Sequence, residues 1–248
     1  MRALALPLLA LALAGVLAAA GCGGDGDGDG TPATTATAPP PRDRPNDEEA
    51  RATLDRFVQA AGDRDPEAMW ELLDSPSRAR YGPTREQFAS GPGNDLAVVL
   101  GAFAREGGKY ESVLAKEISA RWSVAAVSGY VTVDGARQYG AYAAVVGHEN
   151  GERRISLAGT VTFNPVTPEP ELVAGDTPSV ATEVSASEPV LDAFVWVDST
   201  PLAADLAPDA ILLTADVTTP LEPGRHTIVT YADTQSGAGA NAYSFESR

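Results

Sequence analysis

Cysteine is almost absent from this chain of 248 residues; it occurs once, at Cys22. A single thiol closes no internal disulfide, so whatever folds here is held by packing alone. Histidine is nearly as scarce. His148 and His226 are the only two, far apart in sequence, which argues against a histidine-based zinc cluster. Lysine appears only at Lys109 and Lys116, and neither has a serine three residues before it, so the acylating Ser-x-x-Lys motif is missing. No Gly-x-Ser-x-Gly elbow and no phosphate-cradling Gly-x-x-x-x-Gly-Lys loop occurs. Positive charge is short as well, with 18 Lys and Arg against 34 Asp and Glu and a formal net charge of −16. Such a balance excludes nucleic acid as a partner and disfavours docking on anionic lipid headgroups. No metal and no cofactor is expected.

What the chain does hold begins at its first residues. Met1 and Arg2 give a short positive start, and residues 3 to 20 are almost wholly Ala, Leu, Val and Gly, with one Pro7. The run closes on Ala19-Ala20-Gly21 directly before Cys22. Its length and small-residue ending read as a secretory signal over residues 1–21, too short for a comfortable membrane span. The pattern resembles the lipobox of bacterial lipoproteins, with Ala19 where leucine is favoured. The resemblance implies that Cys22 receives a diacylglyceryl thioether and becomes the mature N-terminus. Two or more acyl chains make a stable anchor where one holds only marginally. Membrane lipid is then the first partner, and the expected location is the extracytoplasmic face of a bacterial cell membrane.

Residues 22–45 carry three Asp-Gly pairs and a Thr/Ala/Pro tract ending Pro39-Pro40-Pro41. Nothing there buries apolar surface, so the segment reads as a disordered linker. The run Asp25 to Gly30 imitates an EF-hand opening, but Ala36 stands where the bidentate Glu is needed and Pro32 interrupts the loop. As a flexible coil the linker spans roughly 27 Å. That exceeds the ~8 Å screening length at physiological salt, so acidic domains stand clear of the bilayer.

The folded part divides by charge. Residues 46–165 hold 17 acidic and 13 basic residues, residues 166–248 hold 13 and 2. In the first, Asn46 with Glu49 reads as a capping box, followed by a helical stripe of Ala50, Leu54, Phe57, Val58 and Ala61. Asp65-Pro66 opens a second helix, Thr84 with Gln87 a short third, and Asn94 a fourth running to Phe103. From Tyr110 the period changes to strands over 110–118, 121–133, 137–146, 152–157 and 160–163, with Asp134-Gly135 and Asn150-Gly151 as hairpin turns. Helices followed by antiparallel strands define an α+β class.

The opening helix, then Gly62-Asp63-Arg64-Asp65-Pro66-Glu67-Ala68 and Trp70-Glu71-Leu72-Leu73, resembles the start of a nuclear-transport-factor-2-like domain. The resemblance implies a cone, a curved antiparallel sheet wrapped around N-terminal helices and shared with ketosteroid isomerase. That family includes enzymes, binding modules and silent lipoprotein domains, so the fold by itself assigns no activity. If the cone holds a cavity, Asp74, Tyr110 and Tyr142 are the candidate polar groups, with Asp63 and His148 behind them. Asp63 and Asp65 have structural work in a helix–helix turn, and His148, just before Glu149-Asn150-Gly151, is expected on an exposed hairpin tip. An interior filled by Phe57, Trp70, Leu100 and Phe103 would speak against a ligand or enzyme site.

From 166 onward no helix is expected. Alternation through Val180–Val184, Phe194–Val197, 211–215, Thr227–Tyr231 and 240–245 reads as a β-sandwich, its core or inter-domain face supplied by Val195, Trp196, Val229, Tyr243 and Phe245. Pro220-Leu221-Glu222-Pro223-Gly224-Arg225-His226-Thr227 and the closing Tyr243-Ser244-Phe245 resemble bacterial immunoglobulin-like domains, with His226 part of the structural signature. Val195 to Leu202 matches another turn of that family, with Ser199 in place of glycine. Such modules act as spacers or adhesive surfaces. Together these features point to a non-enzymatic surface binding or scaffold protein whose partner is an envelope protein or glycan. The rival readings are an envelope enzyme or small-ligand carrier using the cone, and a structural accessory of cell-wall synthesis.

Overall fold

The computed structural model describes residues 43–167, 171–172, 175, 177–207 and 212–248. The expected signal, Cys22 and the linker up to residue 42 lie outside them. The described residues all belong to one compact unit.

Among the described residues six helices come first. Helix α1 (Glu48–Gly62) buries Ala50, Leu54, Phe57, Val58 and Ala61, the expected stripe. Its N-cap is Asp47, whose carboxylate accepts from the Ala50 amide at 3.0 Å. Asn46, expected in that role, instead forms an isolated bridge to Lys116. Helix α2 (Pro66–Glu71) starts as expected at Asp65, and α4 (Arg85–Ala89) at a complete Thr84–Gln87 capping box. Helix α3 (Ser75–Tyr81), capped by Asp74, has no counterpart in the sequence reading although Asp74-Ser75-Pro76 carries the same start signature as Asp65-Pro66. The single helix expected from Asn94 to Phe103 is two, α5 (Pro92–Val99) and α6 (Gly101–Ala104). At the junction Arg105 takes the carbonyls of Ala97, Val98 and Gly101, satisfying acceptors that a helix end leaves open.

The helices cover one face of an antiparallel sheet in the order β1 (Gly108–Glu117), β2 (Trp122–Val133), β3 (Ala136–Glu149), β4 (Glu152–Ser156). Both hairpin turns have positive φ at both central residues, Asp134-Gly135 and Asn150-Gly151, as that turn type demands. Ala125, Val127, Ala144, Val146 and Ile155 pack under the helices, while Val124, Ala126, Ala143 and Val145 point the other way and are also buried. A strand covered on both faces reads as a continuous apolar run, which is the pattern of 124–127.

Two further sheets follow. One is ordered β10 (Ala204–Leu206), β11 (Leu212–Asp216), β7 (Ser179–Ala186), β5 (Val161–Thr167). The other is ordered β6 (Glu171–Leu172), β13 (Ala238–Ser247), β12 (Gly224–Asp233), β8 (Asp192–Val197), β9 (Thr200–Leu202). Between them lie Val180, Val184, Val195, Val197, Leu213, Ile228 and Phe245. This two-sheet stack is compatible with an immunoglobulin-like sandwich. The strand expected at 160–163 as the last of the first region is β5, and it pairs with β7 of the sandwich. Pro165, the last residue of the first expected region, lies inside that strand. An edge strand tolerates Pro165, because one side of its ladder needs no donor, and the register slips there.

The helix-bearing sheet and the sandwich share an apolar seam. Leu114, Ile118, Trp122, Val124, Ala126, Ala143 and Val145 meet Trp196, Val229, Tyr231, Ala238 and Ala242. The layers therefore run helices, first sheet, middle sheet, outer sheet. Arg121 crosses the same seam, donating to the carbonyls of Gln235 and Ser236 at 2.9 and 3.1 Å. Residues 43–45, expected as the end of a disordered linker, are docked at its edge. Asp43 pairs with Lys116 at 2.8 Å, the Pro45 carbonyl accepts from Glu117, and Arg44 bonds to Ile118 and stacks 4.6 Å from the Phe194 ring.

Candidate functional site

The three residues expected to line a cavity are engaged in three separate places. Asp74 is buried and its carboxylate accepts from the Ser77 amide at 2.9 Å, closing the start of α3. Tyr110 donates its hydroxyl to Asp55 at 2.5 Å and accepts from Gln59 at 2.6 Å, fastening β1 to α1. Burial, helped by Asp55, pushes its phenol up to about 12. Tyr142 packs against the helical core, where burial and then the nearby Tyr81 push its phenol up to about 12. Asp63 ends α1, and Asp65 caps α2.

Phe57 and Leu100 are fully buried in the core under the helices, together with Leu54, Met69, Leu73, Phe88 and Ile155. Phe103 lies against Gly140 from the helical side, where a Cβ would come 3.2 Å from its ring. Trp70 is only partly buried. Its indole donates to the Gly82 carbonyl at 2.8 Å, and the Arg78 guanidinium lies 4.3 Å from its ring centre.

His148 is not on an exposed tip. Strand β3 runs on to Glu149, and the His148 side chain is only 15% exposed. Its Nδ1 is 2.8 Å from the Ala120 carbonyl and its Nε2 3.1 Å from the Ser123 hydroxyl. Ser123 in turn donates to Asp47 at 2.6 Å, and Arg153 donates to the same carboxylate oxygen at 2.9 Å. Burial pushes the Asp47 carboxyl up, but the bonds from Ser123 and Ala50 and the Arg153 charge outweigh it and hold the group below the usual carboxylate range. Serine, histidine and aspartate meet here in an order unlike that of a nucleophilic relay. The acid bonds to the serine instead of the outer ring nitrogen, and Ser123 is fully buried. The cluster pins the start of α1 to β2, β3 and β4. The sequence reading missed it because Asn46 stood in for Asp47 as the cap.

His226 occupies the start of β12, where its ring faces Asp198 at 2.5 Å and the Glu222 carbonyl at 2.8 Å. A shallow polar cleft between α3 and the β3–β4 turn is lined by Ser75, Arg78, Glu149, Asn150, Glu152 and Arg154. Most of its charged groups are already engaged. Ser75 donates to Glu149 through both amide and hydroxyl, and Arg78 and Arg154 reach the Glu71 carbonyl. Among the described residues no three His, Cys, Asp or Glu converge as a metal would require, and no helix is long and apolar enough to cross a membrane.

On the surface, one constellation combines charge and aromatic area. Arg137 lies 4.5 Å from the Tyr130 ring centre, Tyr130 and Tyr139 are 5.6 Å apart, and Arg225 of β12 lies 3.8 Å from the Tyr139 ring. Tyr139 is 40% exposed. The ladder extends from the β2–β3 hairpin to the sandwich, and no short motif announces it.

No family model matches the chain, and no curated protein matches it either. Among solved structures, a titin fragment of two tandem Ig domains is similar over 51% of this chain and 87% of its own, at 10% identity and a TM-score of 0.27. A score that low assigns no fold.

Proposed function

We propose that this chain is a lipid-anchored envelope protein whose folded unit serves as a non-enzymatic binding scaffold on the extracytoplasmic face of a bacterial membrane. In this reading residues 1–21 are the lipoprotein signal and Cys22 the anchor. The helix-covered sheet is a nuclear-transport-factor-2-like cone, and the two-sheet part an immunoglobulin-like module. The family resemblances rest on the residues quoted from the sequence. The observation that carries the scaffold role is the packing under the helices, where Phe57, Leu100, Met69 and Phe88 occupy the space a ligand would need while Asp74, Tyr110 and Tyr142 are held apart. The Tyr130–Tyr139 pair, exposed at Tyr139, with Arg137 and Arg225 offers the binding face, for an envelope protein or glycan.

Two measurements test it. Replacing Cys22 by Ser is expected to move the chain from the membrane to the soluble fraction; unchanged retention counts against the anchor. A photo-cross-linker at position 139 on intact cells is expected to trap an envelope component, and its absence with the chain folded and exported counts against the binding role.

A further inference from the structure

Each of the two histidines is seated with an oxygen at both ring nitrogens. For His226 those oxygens are the Asp198 carboxylate at Nδ1 and the Glu222 carbonyl at Nε2, and both only accept. For His148 the Ala120 carbonyl at Nδ1 also only accepts. The Ser123 hydroxyl at Nε2 has one proton, and Asp47, 2.6 Å away, takes it. Ser123 therefore offers His148 a lone pair alone. Both seats ask for N–H at each ring nitrogen, and a neutral imidazole carries one.

We infer that His148 and His226 are proton-operated latches, each closed as an imidazolium that pins a loop to a strand and each giving up one of its two bonds when the ring loses its proton. The His148 latch holds the β1–β2 connection at Ala120. Its neighbour Arg121 accepts the His148 amide through its carbonyl and sends its guanidinium across the seam to Gln235 and Ser236. The His226 latch holds the β8–β9 turn, where Asp198 and Ser199 both have positive φ, to the segment before β12. The Thr227 amide completes that turn by donating to Asp198 at 2.8 Å.

The charges around each ring come from several elements. His148 has the Asp47 carboxylate 3.9 Å from Nε2 and is paired across β3–β4 with Arg153, which itself reaches Asp47 and Glu49. Arg121 lies beside it on the β1–β2 connection, and the adjacent Glu149 is turned to Ser75. Around His226 stand Asp198 and Glu222, with the Arg225–Glu246 pair beside it on β12 and β13 and the Phe245 ring at 5.4 Å. With both rings charged, the formal charge of −16 becomes −14.

The test uses the full chain with nitrogen-15 in its histidine rings. On the acid side of each ring's titration, both nitrogens are expected to carry hydrogen. As a ring deprotonates, the protection factors of the amides it secures should fall about tenfold or more, as expected for losing a bond to a charged group. The reporters are Trp122 and His148 for one latch, Asp198 and Thr227 for the other. His226→Gln should abolish the pH dependence at Thr227 and spare Trp122; His148→Gln should do the converse. Protection that stays constant through both titrations overturns the inference. The wild-type chain alone decides it if either variant fails to fold.

Discussion

The Tyr231 hydroxyl donates to the Asp233 carboxylate at 3.1 Å, two residues along β12 at the edge of the seam. Asp233 also accepts from the Asp192 amide at 3.0 Å. Burial nevertheless pushes its carboxyl above the usual range, with the Asp192 charge adding to it and the bonds from Tyr231 and Asp192 and the Arg44 charge opposing. Tyr231 is pushed up as well, chiefly by burial. An acid with a raised folded-state value keeps a proton that the unfolded chain has lost. Its contribution therefore falls as pH rises from the ordinary value, 3.8, through the folded one, and its ionised form costs stability above that. Asp233→Asn mimics the protonated form and can keep the Asp192 bond. Urea melts across pH should show equal or higher stability near neutrality and a steeper loss on the acid side, because the variant lacks the proton uptake that favours the folded state there. A loss above about 1 kcal/mol at neutral pH would contradict the assignment.

Asp47 has the opposite sign. Its lowered value means stability that is present above 3.8 and lost as pH falls through the folded value. Asp47→Ala removes a helix cap and leaves Arg153 and Ser123 without their shared acceptor, for an expected cost of about 2–4 kcal/mol near neutrality. That cost should shrink in acid; a pH-independent cost would mean that the carboxylate charge is irrelevant there.

Trp196 sits at the centre of the seam, fully buried, with its indole N–H unbonded. Trp196→Ala is expected to cost about 3–5 kcal/mol through the cavity it leaves. Trp196→Phe should cost clearly less, since it retains an aromatic ring and removes a buried donor whose desolvation is worth about 1–3 kcal/mol. Equal losses for the two variants would show that ring area is not what holds the layers together.

Gly101 separates two expectations of opposite sign. Helix propensity alone makes Gly→Ala a gain of about 1 kcal/mol. Here an added Cβ would lie 2.1 Å from the Ala61 carbonyl oxygen and 2.6 Å from its carbon. Gly101→Ala is therefore expected to destabilise by about 1–3 kcal/mol, the usual range for an overfilled contact. A measured gain would sink the close approach of α6 to the end of α1.

Local chemistry was legible before any coordinates. Asp134-Gly135 and Asn150-Gly151 supply the left-handed backbone that tight hairpins require, and Asp65-Pro66 and Thr84–Gln87 satisfy orphan helix amides; each signal acts within four residues. The apolar alternation of β7, β8 and β12 was equally open to reading, because a strand's side chains must alternate whatever they meet. Tertiary structure decided what they meet. Val195 and Phe245 went to the sandwich core and Trp196 and Val229 to the seam, while Tyr243, partly buried, packs beside the former. Both surfaces are apolar, and nothing in the residue types tells one partner from another. Strand β5 joined the sandwich for the same reason: its pairing with β7 is set by shape and register across the fold, against the local message of Pro165. Asp47 met Ser123 and Arg153 only because strands distant in sequence became neighbours, and polar residues acquire such roles from proximity, which no local pattern encodes.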